Sequence, residues 1–191
     1  MGWLGWLKGK RSVREAPGLE EWRRQWRAAC ADTSPGAVAD LAVALEALSL
    51  PEEEIEIERE MLAGLEHLVA LRATVATSDL PVVETGHRVV GHDLCHFSAP
   101  ASMPDDPSQP SGRLILTSAR AIFVGGARTI TIPWHAVSNV IDQDRDLLLV
   151  RRDREAIHRI RCNVFDDVLS AAFVARTLAS RHQRPRTVSG P

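Results

Sequence analysis

The chain has 191 residues, 45% of them hydrophobic and 25% charged, and a formal net charge of −2, an ordinary globular composition with enough apolar material for a core. That balance excludes a general nucleic-acid binder, which needs a basic face to displace counterions from phosphates. No apolar run approaches the ~20 residues of a membrane-spanning helix, and three widely spaced cysteines, Cys30, Cys95 and Cys162, do not make a secreted disulfide scaffold.

Charge is segregated along the chain. Residues 1–28 carry seven basic and three acidic side chains, residues 29–80 two and eleven, and residues 81–186 fourteen and eleven. Residues 1–16 form a basic, aromatic leader in which Trp3, Leu4, Trp6 and Leu7 precede Lys8, Lys10 and Arg11. A signal peptide has the opposite order. Those seven side chains suit contact with an anionic membrane surface, with indoles at headgroup level and cations facing lipid.

Residues 17–80 read as a helical segment. Leu19, Trp22, Trp26 and Ala29 recur at helical spacing, so a helix is expected from Leu19 to Ala31, with both tryptophans in the core. Ser34 can cap the next helix and Pro35 fits its first turn. Val38, Leu41, Leu45 and Leu48 then form an apolar stripe. A third helix is expected to start at Ser49-Leu-Pro51, place Glu52, Glu53 and Glu54 at the positive end of its dipole, and run to Val75. The short link between the second and third helices makes them an antiparallel hairpin. An alternative is that Leu41, Leu45, Leu48, Leu62 and Leu65 pack between chains as a helix-driven oligomer.

Residues 81–183 change character, with more Val, Ile and Thr between Gly and Pro. A strand is expected from His87 to Ser98, then a mobile loop from Pro100 to Ser111. Further strands are expected at Arg113–Thr117, Arg120–Val124, Thr129–Ile132, Val137–Ile141, Leu147–Arg151 and Ala156–Cys162, with Gly125-Gly126 as a hairpin turn. Asn163 can cap a final helix whose apolar face holds Phe165, Val168, Leu169, Ala172, Ala175 and Leu178. The fold class is therefore α+β: an N-terminal helical segment, then a seven-stranded antiparallel barrel or sandwich closed by a C-terminal helix. Residues 184–191 read as a disordered tail.

The run Gly112-Arg-Leu-Ile-Leu-Thr-Ser-Ala-Arg-Ala-Ile-Phe-Val-Gly125, followed by Ile132-Pro-Trp-His-Ala-Val137, resembles the central hairpin of bacterial pleckstrin-homology-like and GRAM-like domains. The resemblance covers residues 82–181. It implies a non-enzymatic module that binds lipid, peptide or a partner protein. The first hairpin lacks the dense Lys/Arg cluster with which lipid-binding members hold phosphate and carries Asp105 and Asp106 in its loop.

Arg151, Arg152, Arg154, Arg159 and Arg161 lie on two neighbouring strands and are the expected site for an anionic ligand or an acidic partner; the alternative is that Asp144, Asp146 and Asp153 nearby neutralise them. A metal-binding or hydrolytic alternative uses His92, His96, His158 and Cys162, since each histidine pair or His–Cys pair shares a strand face. Trp134 reads as a barrel plug, and the six glutamates from Glu52 to Glu60 as a solvated helix face. No Gly-x-Ser-x-Gly elbow, Walker loop, Rossmann fingerprint or His-Glu-x-x-His motif is present. The expected protein is a cytoplasmic binding module with no cofactor and no catalytic residue, acting on a protein partner and resting on the inner face of the membrane through its leader.

Overall fold

The computed structural model describes residues 18–31, 34–108, 110–126, 128–152 and 157–183. The leader, the C-terminal tail and Arg154 lie outside the described residues.

Three helices open the fold: α1 (Leu19–Ala31), α2 (Pro35–Ala47) and α3 (Glu56–Thr77). The expected apolar face of α1, Leu19, Trp22, Trp26 and Ala29, is buried throughout. Each indole also finds a polar partner, as a buried tryptophan requires: Trp22 Nε1 donates to the Leu41 carbonyl at 2.9 Å and Trp26 Nε1 to the Met61 carbonyl at 2.8 Å. The Ser34 side chain caps α2 by accepting the Ala37 N–H at 3.1 Å, with Pro35 in the first turn.

The third helix departs from expectation at its start. Ser49 adopts a positive φ of 51° and does not cap. Glu52–Glu54 form a separate 3₁₀ turn, and α3 begins only at Glu56. Burial of Ile55 between the two pieces sets the break, because the chain bends to bring that side chain inward.

Seven antiparallel strands follow: β1 (Cys95–Ser102), β2 (Ser111–Thr117), β3 (Arg120–Gly125), β4 (Arg128–Pro133), β5 (Val137–Gln143), β6 (Asp146–Arg151) and β7 (Ile157–Cys162). They form one sheet in the order β4-β3-β2-β1-β7-β6-β5, and α4 (Phe165–Gln183) closes the chain. Expected and observed strands agree within two residues from β2 onward. The first strand does not: residues 82–94 are irregular, with a 3₁₀ turn at Arg88–Val90 ended by Gly91 at φ 63°. β1 instead runs through Pro100 to Ser102. It pairs with β7 only at Ala101 and Ser102, so the missing N–H of Pro100 removes no bond on that side. The connecting loop shrinks to residues 103–110.

α4 is the central layer. It contacts α3 on one side and β1, β2, β5, β6 and β7 on the other. Being covered twice explains its many small residues: Ala171, Ala172, Ala175 and Ala179 are all buried, between Val168, Leu169, Val174 and Leu178. One hydrophobic core runs from Leu19 in α1 to Ala179 in α4. Leu41, Leu45 and Leu65 lie within it, and Leu48 and Leu62 pack against it. Leu41, Leu45 and Leu65 are therefore buried within one chain instead of facing a second one, and Leu48 and Leu62 are half-buried beside them. Trp134 is fully buried in the same core and donates from Nε1 to the Thr117 carbonyl at 2.8 Å, the plug expected of it.

Candidate binding surface

Strand alternation gives the sheet an inner face toward the main core and an outer face away from it. On β2 and β3 the outer face carries Ile115, Ile122 and Val124 between Arg113 and Arg120, and the chain covers the two isoleucines itself. Ile115 and Ile122 form a second small core with Cys95 and Val90, which the 3₁₀ turn of residues 88–90 lays over them. The Val83 N–H bonds to the Cys95 carbonyl at 2.8 Å, and His96 Nδ1 lies 2.9 Å from the Pro81 carbonyl, fixing the start of this cover.

The outer face of β5–β7 has no such cover among the described residues. The register aligns Ile141, Leu148 and Arg159 in one row across the strands, and Asn139, Val150 and Ile157 in the next. Ile141 is 39% and Ile157 62% exposed, with Leu148 and Val150 half-buried between them.

Beside these apolar rows, Asp146 sits opposite Arg161 and is 5% exposed. Its carboxylate accepts from Arg161 Nε at 2.8 Å and Nη2 at 3.0 Å, and from Arg159 Nε at 2.8 Å and Nη2 at 2.6 Å. Burial pushes the Asp146 carboxyl up, but hydrogen bonds and charge from Arg161 and Arg159 outweigh it and hold it below its ordinary value. One carboxylate thus fixes two guanidiniums, leaving the trio net positive with a preset geometry. Arg159 Nη1 also reaches Asp105 at 3.3 Å, while Arg128 Nη1 reaches Asp106 at 3.2 Å. The loop expected to be mobile is therefore pinned at both aspartates.

Of the five expected arginines, the structure brings Arg159 and Arg161 together. Arg151 is half-buried at the end of β6 opposite Val137, and Arg152 is exposed in the turn beyond it, its N–H bonded to the Ala136 carbonyl at 2.8 Å. Asp146 is one of the three aspartates expected to neutralise these arginines, and it does so; that it binds two of them at once depends on a cross-strand register that the residues alone do not reveal.

The metal alternative fails on spacing. β1 and β7 pair only at Ala101↔Cys162 and Ser102↔Arg161, so His96 lies several residues along β1, on the order of 17 Å at ~3.3 Å per residue, from that pairing. His92 is exposed in a turn, and Cys162 is buried with its thiol pushed up to about 12, first by burial and then by Asp167 and Asp146. No group of three or more His, Cys, Asp or Glu among the described residues is arranged to hold a metal ion.

A second concavity, a cleft of about 420 Å³, separates α1 from the β5–β6 turn and is lined by Trp26, Arg27, Cys30, Asp142, Gln143 and Asp144. Burial, with Asp142 adding to it, pushes the Cys30 thiol up to about 12, so it stays protonated and a poor nucleophile. Asp142 is itself paired with Arg176. No described helix is long and apolar enough to cross a membrane.

No protein-family model matches the chain, and no curated protein matches it in sequence. Among solved structures, the C-terminal domain of an unknown protein from Leishmania infantum aligns with a TM-score of 0.40 at 12% identity, over 50% of this chain and 90% of that one. The N-terminal PH domain of human ARAP2 gives 0.37 at 12% identity, over 49% and 89%. The DH/PH domains of p115-RhoGEF give 0.43 at 9% identity, over 87% of this chain but only 57% of that one. Likenesses at this level carry no weight for fold or function. The architecture rests on the strand order and register above.

Proposed function

We propose that this chain is a non-enzymatic binding module whose protein partner docks on the outer face of β5–β7. The observation that carries the reading is the contrast between the two halves of the sheet. The outer face of β2–β3 is sealed by residues 82–94, whereas that of β5–β7 presents Ile141, Leu148, Val150 and Ile157 to solvent beside a fixed arginine pair. Apolar rows with a cationic rim complement an apolar segment that carries carboxylates, and an arginine already ordered by Asp146 loses little entropy on meeting one. Arg152, Arg159 and Arg161 are the contact residues of this reading, with Arg151 and Arg154 beside them in sequence.

The test is co-purification from the native source with the full chain and with Ile157→Asp. Ile157 is exposed, so the variant keeps its fold and thermal stability. A stoichiometric acidic partner retained by the native chain and lost with Ile157→Asp supports the reading. Retention of the same partner by Ile157→Asp overturns it.

The leader supports a second contact of the same cytoplasmic module, with an anionic membrane through Trp3, Leu4, Trp6, Leu7, Lys8, Lys10 and Arg11. Flotation with vesicles of phosphatidylserine and phosphatidylcholine checks it: the full chain floats and a chain lacking residues 1–14 does not. One short segment alone binds weakly and reversibly.

A further inference from the structure

An open sheet leaves two edges, here β4 and β5. The β5 edge is closed by α4. Arg176 Nε donates to the Val140 carbonyl at 3.2 Å, and Gln183 Nε2 donates to the Val137 carbonyl at 3.2 Å. β4 has no equivalent among the described residues: it pairs with β3, and Thr129 and Thr131 are exposed.

The ladder fixes which backbone groups that edge presents. The Trp134 N–H bonds to the Ala119 carbonyl at 3.2 Å. Alternation from there makes Ala121↔Ile132 and Phe123↔Ile130 the hydrogen-bonded pairs of β3 and β4. The N–H and C=O groups of Thr129 and Thr131 therefore point away from the sheet. Pro133 falls in the same outward phase, where a missing N–H costs the sheet nothing. Along β4 the register with β3 is continuous from Arg120↔Pro133 to Gly125↔Arg128, so no bulge twists the edge away, and the strand contains no lysine.

We propose that β4 pairs antiparallel with β4 of a second copy, about a two-fold axis at Ile130, with Thr129 opposite Thr131 of the partner subunit. This register is self-complementary. Each outward N–H and C=O of one threonine meets its counterpart, and the two-fold repeats the pair on the other side. Cross-strand threonine pairs are favoured on such a surface. Arg128 does not oppose the approach, because Asp106 balances its charge at 3.2 Å. A strand this short gives a small interface, so the dimer is weak and reversible.

Sedimentation equilibrium of the full chain over a concentration series tests it. The native chain shows a reversible monomer–dimer equilibrium. T129K/T131K sets like charges against each other in both cross-strand pairs and raises the dissociation constant about tenfold, from about 0.7 kcal/mol per pair. T129E/T131K makes both pairs opposite in charge and restores or tightens the dimer. Both variants alter exposed side chains, and unchanged thermal unfolding confirms their fold. A strict monomer up to about 1 mM, the weak end of specific association, overturns the proposal. So does a dimer insensitive to T129K/T131K, as helix-face contact or pairing at another edge would give, or a T129E/T131K chain as weak as T129K/T131K.

Discussion

Asp146 concentrates four charge-assisted hydrogen bonds on one buried carboxylate. Asp146→Asn removes the charge that both arginines face, at a cost of about 1–3 kcal/mol near neutral pH. The pH dependence has a definite sign. The folded-state carboxyl is held below the ordinary value of about 3.9, so its contribution is complete above that value. It is lost as pH falls through the lower folded-state value. Thermal unfolding of the native chain and Asp146→Asn should differ clearly at pH 7, and the gap should narrow as pH falls below about 3.9. Trp134 gives a second expectation at this scale. Trp134→Phe leaves the Thr117 carbonyl without its indole donor inside a dry core, costing about 1–3 kcal/mol in denaturant titration.

Between elements, the contact of α3 with α4 depends on a glycine. A Cβ on Gly64 would lie 2.9 Å from the Asp166 nitrogen and 3.1 Å from the Phe165 carbonyl carbon, both backbone atoms that cannot turn aside. A mid-helix Gly→Ala exchange ordinarily stabilises by up to about 1 kcal/mol. Here Gly64→Ala should destabilise instead, and Gly64→Val by about 1–3 kcal/mol or more, since α3 must lift off α4. Glu60 reinforces the contact: it accepts the Phe165 N–H at 2.7 Å and pairs with Arg145 at 2.6 Å. That is why the sequence reading named Asn163 as the cap of α4 and overlooked Glu60. Local capping rules see three or four residues, and the group holding this N–H lies on another helix. The same limit explains the first strand. The Val- and His-rich run before Cys95 has strand composition, but Val90 is wanted over Ile115 and Ile122, a demand set by β2 and β3. Where the pattern was local, as in the buried faces of α1 and α4 or the hairpin of β2 and β3, the sequence was enough. The arginine surface was half legible: the alternation placing Arg159 and Arg161 on one face was readable, as was Asp146 as a neutralising neighbour, while its place between the two guanidiniums needed the register.

At the scale of the whole molecule, the helical and β segments share one core, because α4 lies between them. Trp26 meets Phe165 edge-on with ring centroids 5.6 Å apart, Arg145 lies 5.0 Å over the same ring, and Arg72 lies 5.6 Å over Phe173. Residues 81–183 expressed without the helices should therefore expose this side of α4, bind a hydrophobic dye and lose a sharp thermal transition. A fragment melting cooperatively within a few degrees of the full chain would show that the two segments are separate folding units. The native chain should unfold in one step by both far-ultraviolet and tryptophan signals.

Glu60 and Phe165 are 105 positions apart, and that span has a consequence for biosynthesis. At roughly 5–20 residues per second, the ribosome finishes the first three helices about 5–20 s before the segment that completes their greasy side. During that interval Trp26 lacks the Phe165 ring that it meets edge-on, and the side of α3 that packs on α4 has no cover. The nascent protein is most exposed to wrong partners then, and a folding helper that shields apolar surface would be of greatest use in the same interval.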